Sequence, residues 1–76
     1  MKAKTLATLT NTNADAWILA DGRTGNVLTG LTGPESVVLK CAAASLVADH
    51  HYPDGGTWVR RGPGRHSYRI DQPEQA

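Results

Sequence analysis

Polar and apolar residues alternate over residues 3–10, with Ala3, Thr5, Ala7 and Leu9 on one side of an extended chain and Leu6, Thr8 and Thr10 on the other. A period of two with many threonines predicts a first strand there. Asn11, Thr12, Asn13 and Ala14 read as a turn-rich connection. AWILA (16–20) follows as a second strand, with Trp17 and Leu19 on one side and Ile18 and Ala20 on the other. DGRTGN (21–26) has glycines that tolerate positive φ, and VLTGLT (27–32) resumes the extended pattern, so a hairpin is expected. Both faces of these strands carry apolar side chains, and a slip of one residue exchanges the faces, so the register stays open.

The period then changes. Thr32 with Glu35 three residues on fits a capping box, and Pro34 suits a first helical turn, so a helix is predicted from TGPE to about His51. Tyr52-Pro53-Asp54-Gly55-Gly56 ends it. Leu39, Ala42, Ala43, Leu46 and His50, bordered by Val38, form the stripe expected to face a sheet. A second stripe of Val37, Cys41, Ala44 and Ala48 lies well round the helix, either as plain helix-forming surface or as a partner contact. TWVRR (57–61) and RHSYRI (65–70) flank Gly62-Pro63-Gly64 and predict a second hairpin with a three-residue loop. That loop sets Arg61 opposite Arg65, Trp58 opposite Tyr68 and Thr57 opposite Arg69. Arg61, Arg65 and Arg69 then share one face with Ser67. The aromatic pair and Ile70 take the other, with Arg60 and His66 near the loop end reaching water.

The predicted fold class is therefore α+β. An antiparallel sheet of four to five strands in the order β-β-β-α-β-β carries one helix packed on one face, leaving the other face open. One domain is expected over residues 1–70 and a solvated tail over 71–76.

Composition sharpens this picture. There is no phenylalanine and much of the apolar content is alanine, so the core must be thin and stability modest or aided by association. Cys41 is the only cysteine, which forbids an internal disulfide and suits a reducing, cytoplasmic compartment. No apolar run has the length of a membrane span, and the first residues lack the continuous apolar core of an export signal.

Charge is polarised. Arg60, Arg61, Arg65 and Arg69 lie in residues 56–70 with no acid among them, while the remainder of the chain holds four bases against all seven acids. Such a segment steers partners rich in carboxylate or phosphate. Arginines facing one another repel, so the arrangement calls for an anionic surface that compensates on binding, for acids elsewhere in the chain that fold over it, or for a role as solvated edge charges. Arg60, Arg61, Arg65, Arg69 and Tyr68 are the candidate partner-binding residues. Trp17 joins them if the register turns it to the open face, and otherwise it is core. Val37, Cys41 and Ala44 form a candidate secondary interface.

No chemistry is predicted. Asp49-His50-His51 puts neighbouring imidazoles about 100° apart on a helix, unlike the i, i+4 pairs that hold metals, and Cys41 lies on another side. Neither Cys41 nor Ser36 or Ser45 stands in a nucleophile context, so neither enzyme, metal nor cofactor is expected.

The segment DAWILADGRTGNVLTGLTGPESVVLKCAAASLVADHH followed by TWVRRGPGRHSYRI has a DG hairpin, an alanine-rich helix opened by Gly-Pro, then a second hairpin. In layout this resembles several small phage-encoded anti-CRISPR proteins. The resemblance implies a cytoplasmic inhibitor in a bacterial host that binds a subunit of a type I CRISPR effector complex and blocks target-DNA recognition or nuclease recruitment. No shared motif carries residues across. Many such inhibitors are acidic DNA mimics, whereas this chain has a formal charge of +1, so mimicry of DNA is not implied. Two functions lead: a protein-binding inhibitor or adaptor, monomeric or weakly dimeric, and a small nucleic-acid-binding module in which the arginines hold phosphates while Trp58, Tyr68 or Trp17 stack on bases, with a structural homo-oligomer built on the helix stripe as a third class. One basic segment and a pI near 8.0 favour the first.

Overall fold

A computed structural model describes residues 2–72, with side chains from residue 5 to residue 70. The elements are β1 (Lys2–Asn13), β2 (Ala16–Asp21), β3 (Val27–Thr32), α1 (Glu35–Ala48), β4 (Thr57–Gly62) and β5 (Arg65–Gln72). All pairings are antiparallel, in a single sheet ordered β3-β2-β1-β5-β4, with α1 on one face. The α+β architecture expected from the sequence is the one observed. Two hairpin units, β1–β2–β3 and β4–β5, are joined along β1 and β5, which makes the first strand the centre of the sheet. Among the described residues no helix is long and apolar enough to cross a membrane.

β1 outruns its expected end. The Asn11 amide donates to the Gly64 carbonyl at 2.7 Å, and its side-chain Nδ2 donates to the carbonyls of Ala14 and Ala16 at 3.0 and 2.9 Å. These bonds keep the chain extended to Asn13 and shrink the turn, where Ala14 takes φ 44°. At the other end of the chain, β5 continues to Gln72, two residues into the expected tail, because Asp71 and Gln72 pair with Ala3 and Lys2. Residues 73–76 lie outside the described residues.

Registry settles the faces that the sequence left open. Leu19 pairs with Leu9 and Trp17 with Asn11, so Ala7, Leu9, Trp17 and Leu19 look toward the helix. On the other side of β1, His66 pairs with Leu9 and Tyr68 with Ala7, which brings β5 to the same face. From the helix, Val38, Ala42 and Leu46 complete the buried core, with Leu39 and Ala43 half-buried beside them. The i, i+4, i+8 spacing makes Val38 the centre of the buried stripe and not its border. Each large aliphatic side chain removed from water contributes on the order of 2 kcal/mol, and there are few of them here.

Polar contacts tie the helix and the segment that leaves it to the sheet at three points. Glu35 Oε2 lies 2.9 Å from Nε2 of His66, the indole N–H of Trp58 donates to the Leu39 carbonyl at 2.9 Å, and the Tyr52 hydroxyl donates to Asp21 at 2.6 Å. The first corrects two expectations. Pro34 is the N-cap, with no side-chain cap bond, so no Thr32–Glu35 capping box forms and the Glu35 carboxylate reaches across to β5. His66 is buried in that contact and does not reach water. The helix also stops at Ala48, three residues short of His51: the amides of Asp49 and His50 both return to Ser45, and the chain leaves through His51 at φ 59°. His50 is thus a half-buried residue of the exit turn, not part of the helical stripe.

Asp21 also organises the β2–β3 connection, its Oδ1 accepting from the amides of Arg23 and Thr24 at 2.6 and 3.1 Å. The Tyr52 hydroxyl first, then these two amides, hold the Asp21 carboxyl below its ordinary value of 3.8. Burial, followed by the bond to Asp21 and its charge, pushes the Tyr52 phenol up to about 12. The folded state therefore keeps the phenol protonated through a range in which the unfolded chain has lost that proton. The stabilisation from Tyr52 is complete below pH 10.0 and is lost as pH rises from there to about 12; that from Asp21 is complete above 3.8 and fades as pH falls through its lowered value. Tyr52→Phe should lower the urea midpoint at neutral pH, and its difference from wild type should shrink between pH 10 and 12. A difference that stays constant across that alkaline range would contradict the contact.

Gly56 abuts the ring of Tyr68, and an added β-carbon would stand 2.5 Å from Cζ. The ring cannot yield, being buried, packed at a 60° tilt against Trp58 at a centroid distance of 5.1 Å, and bonded through its hydroxyl to the Gly56 amide at 3.2 Å. Gly56→Ala should cost about 1–3 kcal/mol in urea unfolding through overpacking, with an unchanged result denying the close approach.

Candidate partner-binding face

The face of the sheet opposite the helix is read row by row from the register. Gly30, Ile18, Thr10 and Arg65 lie in one row; Val27, Ala20, Thr8, Ser67 and Val59 in the next; Thr5, Arg69 and Thr57 in the third. Across the sheet the chemistry changes from apolar on β3 and β2, to hydroxyl on β1, to guanidinium on β5 and β4. A shallow depression of ≈ 380 Å³ lies over the hydroxyl and guanidinium part, lined by Thr8, Thr10, Arg61, Arg65, His66 and Ser67.

The hairpin that supplies the arginines differs from the expected one in a way that matters. Pro63 and Gly64 alone make the turn, Gly64 at φ 66°, and Gly62 takes the place opposite Arg65. Proline followed by a residue at positive φ is the pattern of a type II turn. The residue left over is Arg61, extruded as a bulge between the Arg60–His66 and Gly62–Arg65 pairs. The bulge spares Arg61 and Arg65 a direct cross-strand repulsion and turns Arg61 onto the open face, where its Nε donates to Ser67 Oγ at 3.2 Å. The Trp58–Tyr68 and Thr57–Arg69 pairings are as the spacing predicted.

Arg61 and Arg65 are exposed on the open face and Arg69 is half-buried there. Arg60 is exposed too, but by its pairing with His66 it belongs to the helix side, so it stands apart from the other three. Among the residues whose side chains are described, Glu35 contacts His66 and no carboxylate pairs with any of these arginines. The backbone of Gly64 sits against Asn11, where an added β-carbon would stand 2.9 Å from the Asn11 Cβ, so the tip of the hairpin is clamped to the central strand.

Trp17 takes its core alternative, and Tyr68 lies with Trp58 on the face away from Arg61, Arg65 and Arg69. Trp17 and Tyr68 are 6% and 2% exposed and lie under the helix, because a core without phenylalanine needs their area. Trp58 joins them, half-buried with its N–H satisfied. No aromatic ring therefore shares the face of Arg61, Arg65 and Arg69. On the outer side of the helix Val37, Cys41 and Ala44 are exposed. Reading the sequence did not single out Thr8 and Thr10, whose alternation with Ala7 and Leu9 was the signal that they face away from the core.

No protein-family model, curated protein or solved structure matches this chain.

Because the open-face arginines make no ion pair within the described fold, removing one should not weaken it. Arg65→Ser is expected to change stability by less than about 0.5 kcal/mol in urea unfolding, or to raise it slightly at low ionic strength, where repulsion is least screened. A loss above about 1 kcal/mol would mean that the guanidinium is part of the fold.

Proposed function

We propose that this protein is a non-enzymatic binding module, an inhibitor or adaptor, whose open sheet face docks onto a carboxylate-rich protein surface. The observation that carries this is the sidedness of the sheet: Arg61, Arg65 and Arg69 gather with the hydroxyls of Thr8, Thr10 and Ser67 on one face, while the aromatic rings lie on the other. Guanidinium groups bind carboxylates in a bidentate, planar fashion, and flanking hydroxyls supply further donors. Base stacking, on which sequence-tolerant single-strand binding depends, has no ring to use on this face. Following the resemblance in layout to small phage-encoded anti-CRISPR proteins, we take the acidic surface to belong to a subunit of a type I effector complex, with inhibition arising from occlusion of a surface needed for DNA targeting.

Affinity capture on the immobilised protein from lysate of a bacterium expressing such a complex tests this, alongside titration with random single- and double-stranded oligonucleotides. The expected result is recovery of an effector subunit, lost on combined replacement of Arg61, Arg65 and Arg69 by alanine while circular dichroism is unchanged. Recovery unaffected by that replacement would overturn the arginine face as the contact. Micromolar oligonucleotide binding that falls steeply with salt would overturn the protein-binding reading in favour of nucleic acid.

A further inference from the structure

The sheet has two free edges of opposite character. β4 carries Arg60 and Arg61 and the bulge between Arg60 and Gly62, both of which deter pairing with another strand. β3, VLTGLT, has neither charge nor proline. The Gly33 amide donates to the Asp15 carbonyl at 2.9 Å, which makes residues 33, 31 and 29 the hydrogen-bonded positions toward β2. By alternation, the amides and carbonyls of Gly30 and Thr32 point away from the sheet. Beside them Val27 is 65% exposed and Ile18 37%, the two most exposed large apolar side chains of the sheet.

We infer that β3 is a self-association edge, at which two copies pair antiparallel about Gly30 into one continuous sheet of ten strands. The partner is a second copy because the edge is electrically neutral. A charged foreign strand gains no counter-charge there, while β3 against itself meets no like charge. A two-fold centred on Gly30 sets the outward amide and carbonyl of Gly30 against those of the other copy, and brings Thr29 opposite Leu31 of that copy. Gly30 presents no side chain at the axis. The contact is isologous and closes at two copies, whereas β3 on β4 would propagate without end and would lay the bulged, arginine-bearing edge against a flat one. With the axis normal to the sheet, both open faces look the same way. The arginines of the two β5 strands stand seven strand spacings apart, roughly 34 Å. The dimer would therefore present its arginine faces bivalently to a repeated or extended acidic surface.

The test is analytical ultracentrifugation of the intact protein up to about 1 mM, with Gly30→Pro and Gly30→Lys as variants. Gly30 has ordinary strand geometry with only the Trp17 carbonyl at 3.8 Å from an added β-carbon, so a β-carbon is accommodated; proline removes the outward donor and lysine sets two like charges at the axis. The expected result is a reversible monomer–dimer equilibrium whose dissociation constant rises at least about tenfold in either variant, with native circular dichroism. Amide exchange at Gly30 and Thr32 should slow with concentration in the wild type. If the proline variant fails to fold, the lysine variant decides alone. A protein that stays monomeric throughout the range overturns the inference. So does open-ended association, a dimer unaffected by Gly30→Lys, or one dissociated instead by Cys41→Arg on the outer face of the helix.

Discussion

A thin core imposes sidedness on this sheet, and the rest of the molecule follows from it. With two tryptophans, two tyrosines and no phenylalanine, the fold has four rings with which to fill the space between five strands and one helix. Trp17 and Tyr68 are buried there, and Tyr52 and Trp58 pack against their edge. Each of Trp58, Tyr68 and Tyr52 also has a polar group to satisfy, and each does so at a junction: with the Leu39 carbonyl, the Gly56 amide and the Asp21 carboxylate. The rings thus act as both filler and fastener. Once they are committed to the helix side, the period of two leaves threonine, serine and arginine for the other.

The arginine face is consequently a by-product of strand alternation sharpened by one irregularity. Regular pairing would have set Arg61 against Arg65. The two-residue turn at Pro63-Gly64 and the bulge at Arg61 relieve that repulsion, yet keep both guanidinium groups over the same depression, with Ser67 holding Arg61 in place. Concentrating like charge with no carboxylate partner among the described residues works against folding, and here it is tolerated at the surface, where water and salt screen it. Positioning by a clamped hairpin, fixed to Asn11 at its tip, lowers the entropy that a partner must remove on binding.

Much of this plan is legible in the sequence. Strand and helix order followed from the change of period between residues 32 and 35, and the Trp58–Tyr68 pair held because the bulge at Arg61 offsets a turn one residue shorter than the spacing suggests. Trp17 was not legible, because AWILA is apolar on both sides and only its pairing with Asn11 and Leu31 decides which way the indole points. Glu35 misled for a related reason. Its spacing from Thr32 fits a local cap, but a partner thirty-one residues away, His66, competes for the same carboxylate and prevails. Likewise β1 extends past its turn-like sequence because Asn11 is bonded by a distant hairpin. Local chemistry was readable; choices made by contacts far along the chain were not.

The central claim is that the guanidinium groups of Arg61, Arg65 and Arg69, unpaired with any carboxylate among the described residues, are aligned on the face away from the helix. Titration of the isotopically labelled protein with a glutamate-rich peptide, followed through arginine Nε–Hε and backbone amide resonances, tests it directly. The account predicts shifts at these three arginines and at Thr8, Thr10 and Ser67, with the helix unmoved. Shifts confined to Val37, Cys41 and Ala44, or to Arg60 alone, would contradict it.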